Sequence, residues 1–211
     1  MGAKGQQTRQ RLLDATAELM QTKKLRELTI SDITRRAKTA ISTFYLYFPD
    51  ASEAVLAVTR AVSQSTPELL ELIDAPWAEH EIAAKAEAFA LSYAEHWQRN
   101  KAVFRVRNMA ADEGDARFSN VRRHAIAPLI AALARRIEAN QAAGHVPADL
   151  HPYSAAGALL AMLERLSSVA HDIPNEYEVS ASKVLHAVAF FVIQLLGGAP
   201  AADAKPPRGK G

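Results

Sequence analysis

The chain has 211 residues, 49% of them apolar, enough to bury a sizeable core in one large domain or two small ones. It has no cysteine, which rules out disulfides and thiolate metal sites, and no apolar run approaches the ~20 residues of a membrane span. Lys and Arg exceed Asp and Glu by only two overall, yet residues 1–49 hold nine basic against four acidic side chains, so the rest of the chain is net acidic.

A basic N-terminal quarter is what phosphate binding requires, although a soluble helix with ordinary surface lysines has the same composition. No apolar stretch follows Met1-Gly2-Ala3-Lys4, so no signal peptide is expected and the chain reads as cytoplasmic.

Nearly every segment has helical periodicity, and no alternating apolar run marks a strand. The fold class expected is all-α. A first helix over residues 6–23 carries the stripe Leu12/Leu13, Thr16/Ala17 and Leu19/Met20. A second, residues 30–37, opens on Thr29 with Asp32 three positions on, a capping-box pattern. A short third, 41–47, ends at Pro49-Asp50, which supplies a turn and a new cap for a fourth running from Ala51 through Val62 toward Pro67.

Helices are next expected over 78–99, 101–113 and 116–143, the last kinked or split at Pro128 and stopped by Gly144. Two more are expected over 152–171 and 176–196, separated by His171-Asp172-Ile173-Pro174-Asn175. The stretch 198–211 reads as a disordered tail.

The informative segment is 30–49. Ile30, Ile33 and Ala37 share one face of a short helix; Phe44 and Phe48 share one face of the next. Two short one-faced helices in tandem need a third to cover them, and the first helix is available. Ser42, Thr43, Tyr45 and Tyr47 are left on the open face, where hydroxyls can donate to phosphate oxygens and aromatic edges can meet thymine methyls. Together these describe a helix-turn-helix.

The run Ser42-Thr43-Phe44-Tyr45-Leu46-Tyr47-Phe48-Pro49-Asp50, with Thr29-Ile30, Asp32-Ile33 and Ala37 upstream, resembles the DNA-reading domain of the tetracycline-repressor (TetR) family. The resemblance covers about a quarter of the chain; the remainder matches only in number and length of helices. It implies an N-terminal three-helix reader over 1–50, an effector-binding and dimerisation domain over 51–197, and a homodimer on a palindromic stretch of double-stranded DNA. It also implies that Thr29, Ser42, Thr43, Tyr45 and Tyr47 face DNA, with Tyr45 and Tyr47 on phosphates. Three positions depart from the pattern. Lys38 stands where the family has Gly, and Ile41 and Ala51 stand where basic residues are common, which weakens the electrostatic part of binding.

The larger part agrees with this on its own terms. Val184, Val188, Phe191 and Leu195 form one stripe, and Ala156, Leu159, Leu160, Leu163 and Leu166 another. Two such helices from each subunit can build a four-helix interface. Phe89, Tyr93, Trp97, Phe104, Asn108, Phe118 and Met162 are the candidate lining of a pocket for a small apolar or amphiphilic effector, although an aromatic stripe at helical spacing serves equally as core. The expected activity is a repressor that releases DNA when the effector shifts the fourth helix.

No catalytic residue, metal site or cofactor is expected. There is no glycine-rich phosphate loop, no Gly-x-Ser-x-Gly elbow and no His-Glu-x-x-His helix, and the seven histidines are scattered. The alternative to a regulator is a helical interaction protein whose helix-turn-helix has lost DNA binding, favoured by Lys38, Ile41 and Ala51.

Overall fold

The computed structural model describes residues 2–63, 66–169 and 180–197, and these contain helices and no strand. In chain order the helices are α1 (Ala3–Met20), α2 (Ile30–Ala37), α3 (Ile41–Tyr45), α4 (Ala51–Ser63), α5 (Pro67–Asp74), α6 (Ile82–Arg99), α7 (Lys101–Asp112), α8 (Ala116–Ala142), α9 (Pro152–Val169) and α10 (Ala181–Leu196). Short 3₁₀ turns precede α2 and α6. None of the described helices is long and apolar enough to cross a membrane.

Three differences from the sequence expectation have physical causes. Helix α5 was not foreseen: Pro67 looked like a stop, but it occupies the first helical position, where its missing N–H costs nothing. Helix α8 is continuous through Pro128, neither ended nor split there. The carbonyl that Pro128 leaves without an amide partner belongs to exposed His124, which can meet water. Helix α3 stops at Tyr45, two residues early. The segment 171–175, the start of the last helix at 176 and the tail 198–211 lie outside the described residues.

The chain divides into two compact units, Met1–Thr66 with Asn100–Ile126, and Pro67–Arg99 with Ala127–Gly211. This cut follows packing, and it differs from the functional division at residue 50 drawn from the sequence.

In the first unit α1 packs on α2, α4 and α7. Leu12, Ile33, Phe44, Val55, Leu56 and Phe118 are completely buried there, each such side chain contributing about 1.5–3 kcal/mol by leaving water. Arg117 ties the start of α8 to the start of α4. It donates from Nη1 to Glu53 Oε1 at 2.7 Å, from Nη2 to Ser52 Oγ at 3.1 Å and to Asp115 Oδ2 at 2.7 Å. Asp115 also accepts the backbone N–H of Arg117 at 2.9 Å. The Arg117 guanidinium holds the Asp115 carboxyl below its ordinary range, and Asp115, then Glu53, raise Arg117 in return.

In the second unit α6 packs chiefly on α10, α9 and α5. The last carbonyls of α10 have no helical partner and are met from α8. Asn140 Nδ2 donates to Leu195 O at 3.0 Å and Arg136 Nε to Leu196 O at 2.9 Å. The same guanidinium donates through Nη1 to Ile73 O and Ala75 O at the end of α5, at 3.0 and 2.9 Å, and lies 4.2 Å from the centre of the Trp77 ring.

Candidate nucleic-acid interface

The reader is built from local signals outward. The Thr29 hydroxyl accepts the Asp32 N–H at 3.2 Å and donates to Asp32 Oδ2 at 2.7 Å, while Thr29 N donates to the same oxygen at 3.3 Å. The capping box is thus closed in both directions and sets where α2 begins. Asp32 does more than cap. Its nearly buried carboxylate also receives Lys23 Nζ and Arg35 Nη2, both at 2.7 Å. These partners, the Lys23 hydrogen bond first and Thr29 next, hold the Asp32 carboxyl far below the usual carboxylate range. The sequence marked Asp32 as a cap and gave no sign of Lys23, which lies nine residues away in an irregular stretch.

Helix α2 ends on Lys38, at φ 52° and ψ 49°, the one non-glycine residue with positive φ among those described. Lys38 N bonds Arg35 O at 3.4 Å and Thr39 N bonds Thr34 O at 3.0 Å. This is a Schellman stop, a geometry that normally takes Gly. The departure seen in the sequence is therefore accommodated without changing the turn.

Helix α3 is anchored by Phe44 and Phe48, both buried, with ring centroids 5.6 Å apart. The Arg9 guanidinium of α1 sits 5.4 Å over the Phe48 ring. Opposite these anchors, Ile41, Ser42, Tyr45 and Leu46 are exposed and Thr43 and Tyr47 half-exposed. Tyr45 stands edge-on to Phe44 at 6.0 Å. The hydroxyls of Ser42, Thr43, Tyr45 and Tyr47 make no hydrogen bond to any described residue, whereas the Thr29 hydroxyl proton is committed to Asp32. Asp50 accepts the Glu53 N–H at 2.8 Å and starts α4 directly after the reader.

Several of the N-terminal cations are paired: Lys23 and Arg35 with Asp32, and Arg36 with Glu18 of α1. Among the described residues no cluster of His, Asp or Glu is placed to hold a metal ion.

The residues proposed for effector binding fall in both units. Phe89, Tyr93 and Trp97 are buried on α6 and Met162 is half-buried on α9, all in the second unit. Phe104 and Phe118 are buried in the first unit, where Asn108 is half-buried. A cavity of about 210 Å³ lies within the second unit among α6, α9 and α10, and none of these seven residues lines it.

A helix-turn-helix on a covering helix, followed by a larger helical part, defines a DNA-binding transcriptional regulator. Residues 12–58 match the profile of bacterial regulatory proteins of the tetR family, and residues 69–201 match the tetracyclin repressor-like C-terminal domain. The chain belongs to the TetR family of transcriptional regulators, which are transcription factors and not enzymes.

Solved structures agree on the fold. A putative transcriptional regulator from Pseudomonas aeruginosa PAO1 superposes with a TM-score of 0.69 at 17% identity, covering 92% of each chain. A putative transcriptional regulator from Saccharomonospora viridis, in complex with choline, gives 0.66 at 17% identity over 89% of this chain and 96% of its own. SmeT, in complex with triclosan, gives 0.65 at 18% identity over 94% and 98%. No curated protein matches the chain by sequence.

Proposed function

We propose that the chain is a repressor that binds a palindromic operator as a homodimer in the cytoplasm and releases it when a small apolar or amphiphilic effector binds. The observation that carries the DNA half is the face of α3. Four hydroxyls, on Ser42, Thr43, Tyr45 and Tyr47, stand free over two buried phenylalanines that fix their orientation. Donors of this kind position a reader on phosphates and touch base edges. Thr29 contributes through the exposed start of α2, its hydroxyl serving as the cap.

The homodimer is supported by the solvent faces of the last two helices. On α9 this face carries Ala158, Ala161 and Arg165; on α10 it carries Ala187, Phe190, Phe191 and Gln194. Phe190 and Phe191 are about half exposed and packed edge-on at 5.7 Å, an expensive arrangement for a monomer. Two copies related by a two-fold axis would cover them and present two α3 helices to successive half-sites. The functional division is then a reader over 1–50 and a sensing and dimerising part over 51–197. Ligand complexes of the choline and triclosan relatives support the sensing half.

The test is fluorescence anisotropy with duplex DNA from upstream of the gene. Tight, salt-dependent binding is expected, with Tyr45→Phe and Ser42→Ala each losing about 2–10-fold, as one hydrogen bond is worth. Absence of specific binding would favour the alternative, an interaction protein with a degenerate helix-turn-helix. Sedimentation equilibrium checks the dimer, and a monomer would remove the palindrome from the proposal.

A further inference from the structure

The cavity among α6, α9 and α10 lies wholly within the second unit and holds a specific chemical record in its walls. Ala90, Ala94 and Gln98 follow one another at every fourth position of α6, Leu163 faces it from α9, and Val184 and Val188 face it from α10. No Asp, Glu, Lys or Arg lines it. A charged ligand would find no counter-charge in these walls.

Ser167 and Ser182 line the cavity with hydroxyls, and Gln98 adds a carboxamide. The Gln98 Nε2 donates to Ser167 O at 2.7 Å. Only the nitrogen end of an amide can bond a carbonyl, so this contact fixes which way the side chain faces. The Gln98 Oε1 is then left as an acceptor that receives no hydrogen bond from any described residue. A ligand seated beside it gains by presenting an O–H or N–H. Exposed Leu91 and Ser182 are also in the lining, so the cavity is open to solvent on that side. At about 210 Å³ it exceeds the roughly 150 Å³ of an apolar cavity that admits benzene, which leaves room for one ring and a short substituent.

We infer that this cavity is the effector site and that its ligand is a neutral single-ring compound carrying one hydrogen-bond donor, a phenol or aromatic alcohol, held by Gln98 Oε1. The inference rests on the reading of the chain as a ligand-responsive regulator. It moves the effector away from the aromatic residues that the sequence pointed to and assigns it to small side chains that leave space.

The full-length protein is titrated calorimetrically with 4-ethylphenol, with 4-ethylanisole, which keeps the oxygen but has no donor, and with 4-ethylbenzoate, which is anionic. One 4-ethylphenol per chain is expected, with 4-ethylanisole about 3–10-fold weaker and 4-ethylbenzoate showing no measurable binding. Gln98→Leu is expected to bring 4-ethylphenol down to the 4-ethylanisole level. Ala94→Phe, which fills the cavity, is expected to abolish both, with Ala90→Leu as a second filling variant and circular dichroism to verify folding. Undiminished 4-ethylphenol binding by a folded filling variant, equal binding of the anion, or no binding of either neutral ring at millimolar concentration would overturn the assignment.

Operator affinity is read in parallel. If 4-ethylphenol binds the wild type and is blocked by Ala94→Phe, yet operator affinity never changes, the ligand class and cavity stand and the regulatory reading fails. If operator affinity responds equally in the wild type and in Ala94→Phe, the regulatory reading stands and the cavity assignment is overturned.

Discussion

Replacing Lys38 by glycine is expected to stabilise the protein. Among the described residues three helices end in the same Schellman pattern. At Gly114 the two closing bonds are 3.1 and 3.0 Å, and at Gly144 they are 3.0 and 2.9 Å. At Lys38 the corresponding pair is 3.4 and 3.0 Å, with the same left-handed backbone but a Cβ to accommodate. A left-handed non-glycine residue costs about 1–2 kcal/mol, and glycine returns about 0.5–1 kcal/mol of that through its freer unfolded chain. The net gain is about 0.5–1 kcal/mol, or about 1–4 °C in melting temperature for a chain of this length. Thermal unfolding followed by far-UV circular dichroism measures it. Lys38→Ala is the control, since it removes the same charge and long side chain but keeps a Cβ in the strained region, so it should gain nothing. A glycine variant that melts at or below the wild-type temperature, or an alanine variant that gains equally, would refute the assignment of strain to this turn.

Asp32 should make the reader acid-sensitive. Its folded carboxyl titrates below its ordinary 3.8, so its contribution is complete above that pH and disappears as pH falls through the lower folded value; urea titrations below pH 4 should therefore show wild type losing stability faster than Asp32→Asn. Gly197→Ala should cost about 1–3 kcal/mol by overpacking, because a Cβ there would lie 2.6 Å from Ile82 Cγ2 and 2.7 Å from Ile193 O; an unchanged melting curve would show that the end of α10 can move away. Ile41→Lys should restore one phosphate contact and steepen the slope of log affinity against log salt by about 0.9; an unchanged slope would place residue 41 off the backbone.

What was legible in the sequence was what neighbours along the chain decide. Helix α2 was bounded to the residue, because Thr29 and Asp32 fix its start through bonds spanning three positions and the turn at Lys38 fixes its end. The stop at Gly144 was legible for the same reason. The open face of α3 followed from periodicity once Phe44 and Phe48 were taken as its anchors. Contacts made across the fold left no such trace. Arg117 meets Glu53 from 64 positions away, and Arg136 meets Ile73 from 63. In sequence each is one more arginine in a charged stretch.

The cavity among α6, α9 and α10 left no mark in the sequence for a related reason. Large aromatic side chains mark where apolar surface is, and in a close-packed protein that surface is consumed by packing. Phe89 and Phe118 are completely buried, and Trp97 and Phe104 nearly so, so these side chains fill space and do not enclose it. A cavity needs the opposite, positions on a buried or half-buried face where side-chain volume is withheld. On α6 the series Ala90, Ala94, Gln98 does this while the helix remains regular. Its signature is two small residues and one amide at four-residue spacing, against Leu163 and Val188 on helices nearly 70 and 90 positions further on. Alanine at such spacing also serves close helix packing, so the pattern acquires its second meaning only when the facing helices are known to stand too far off to close the gap.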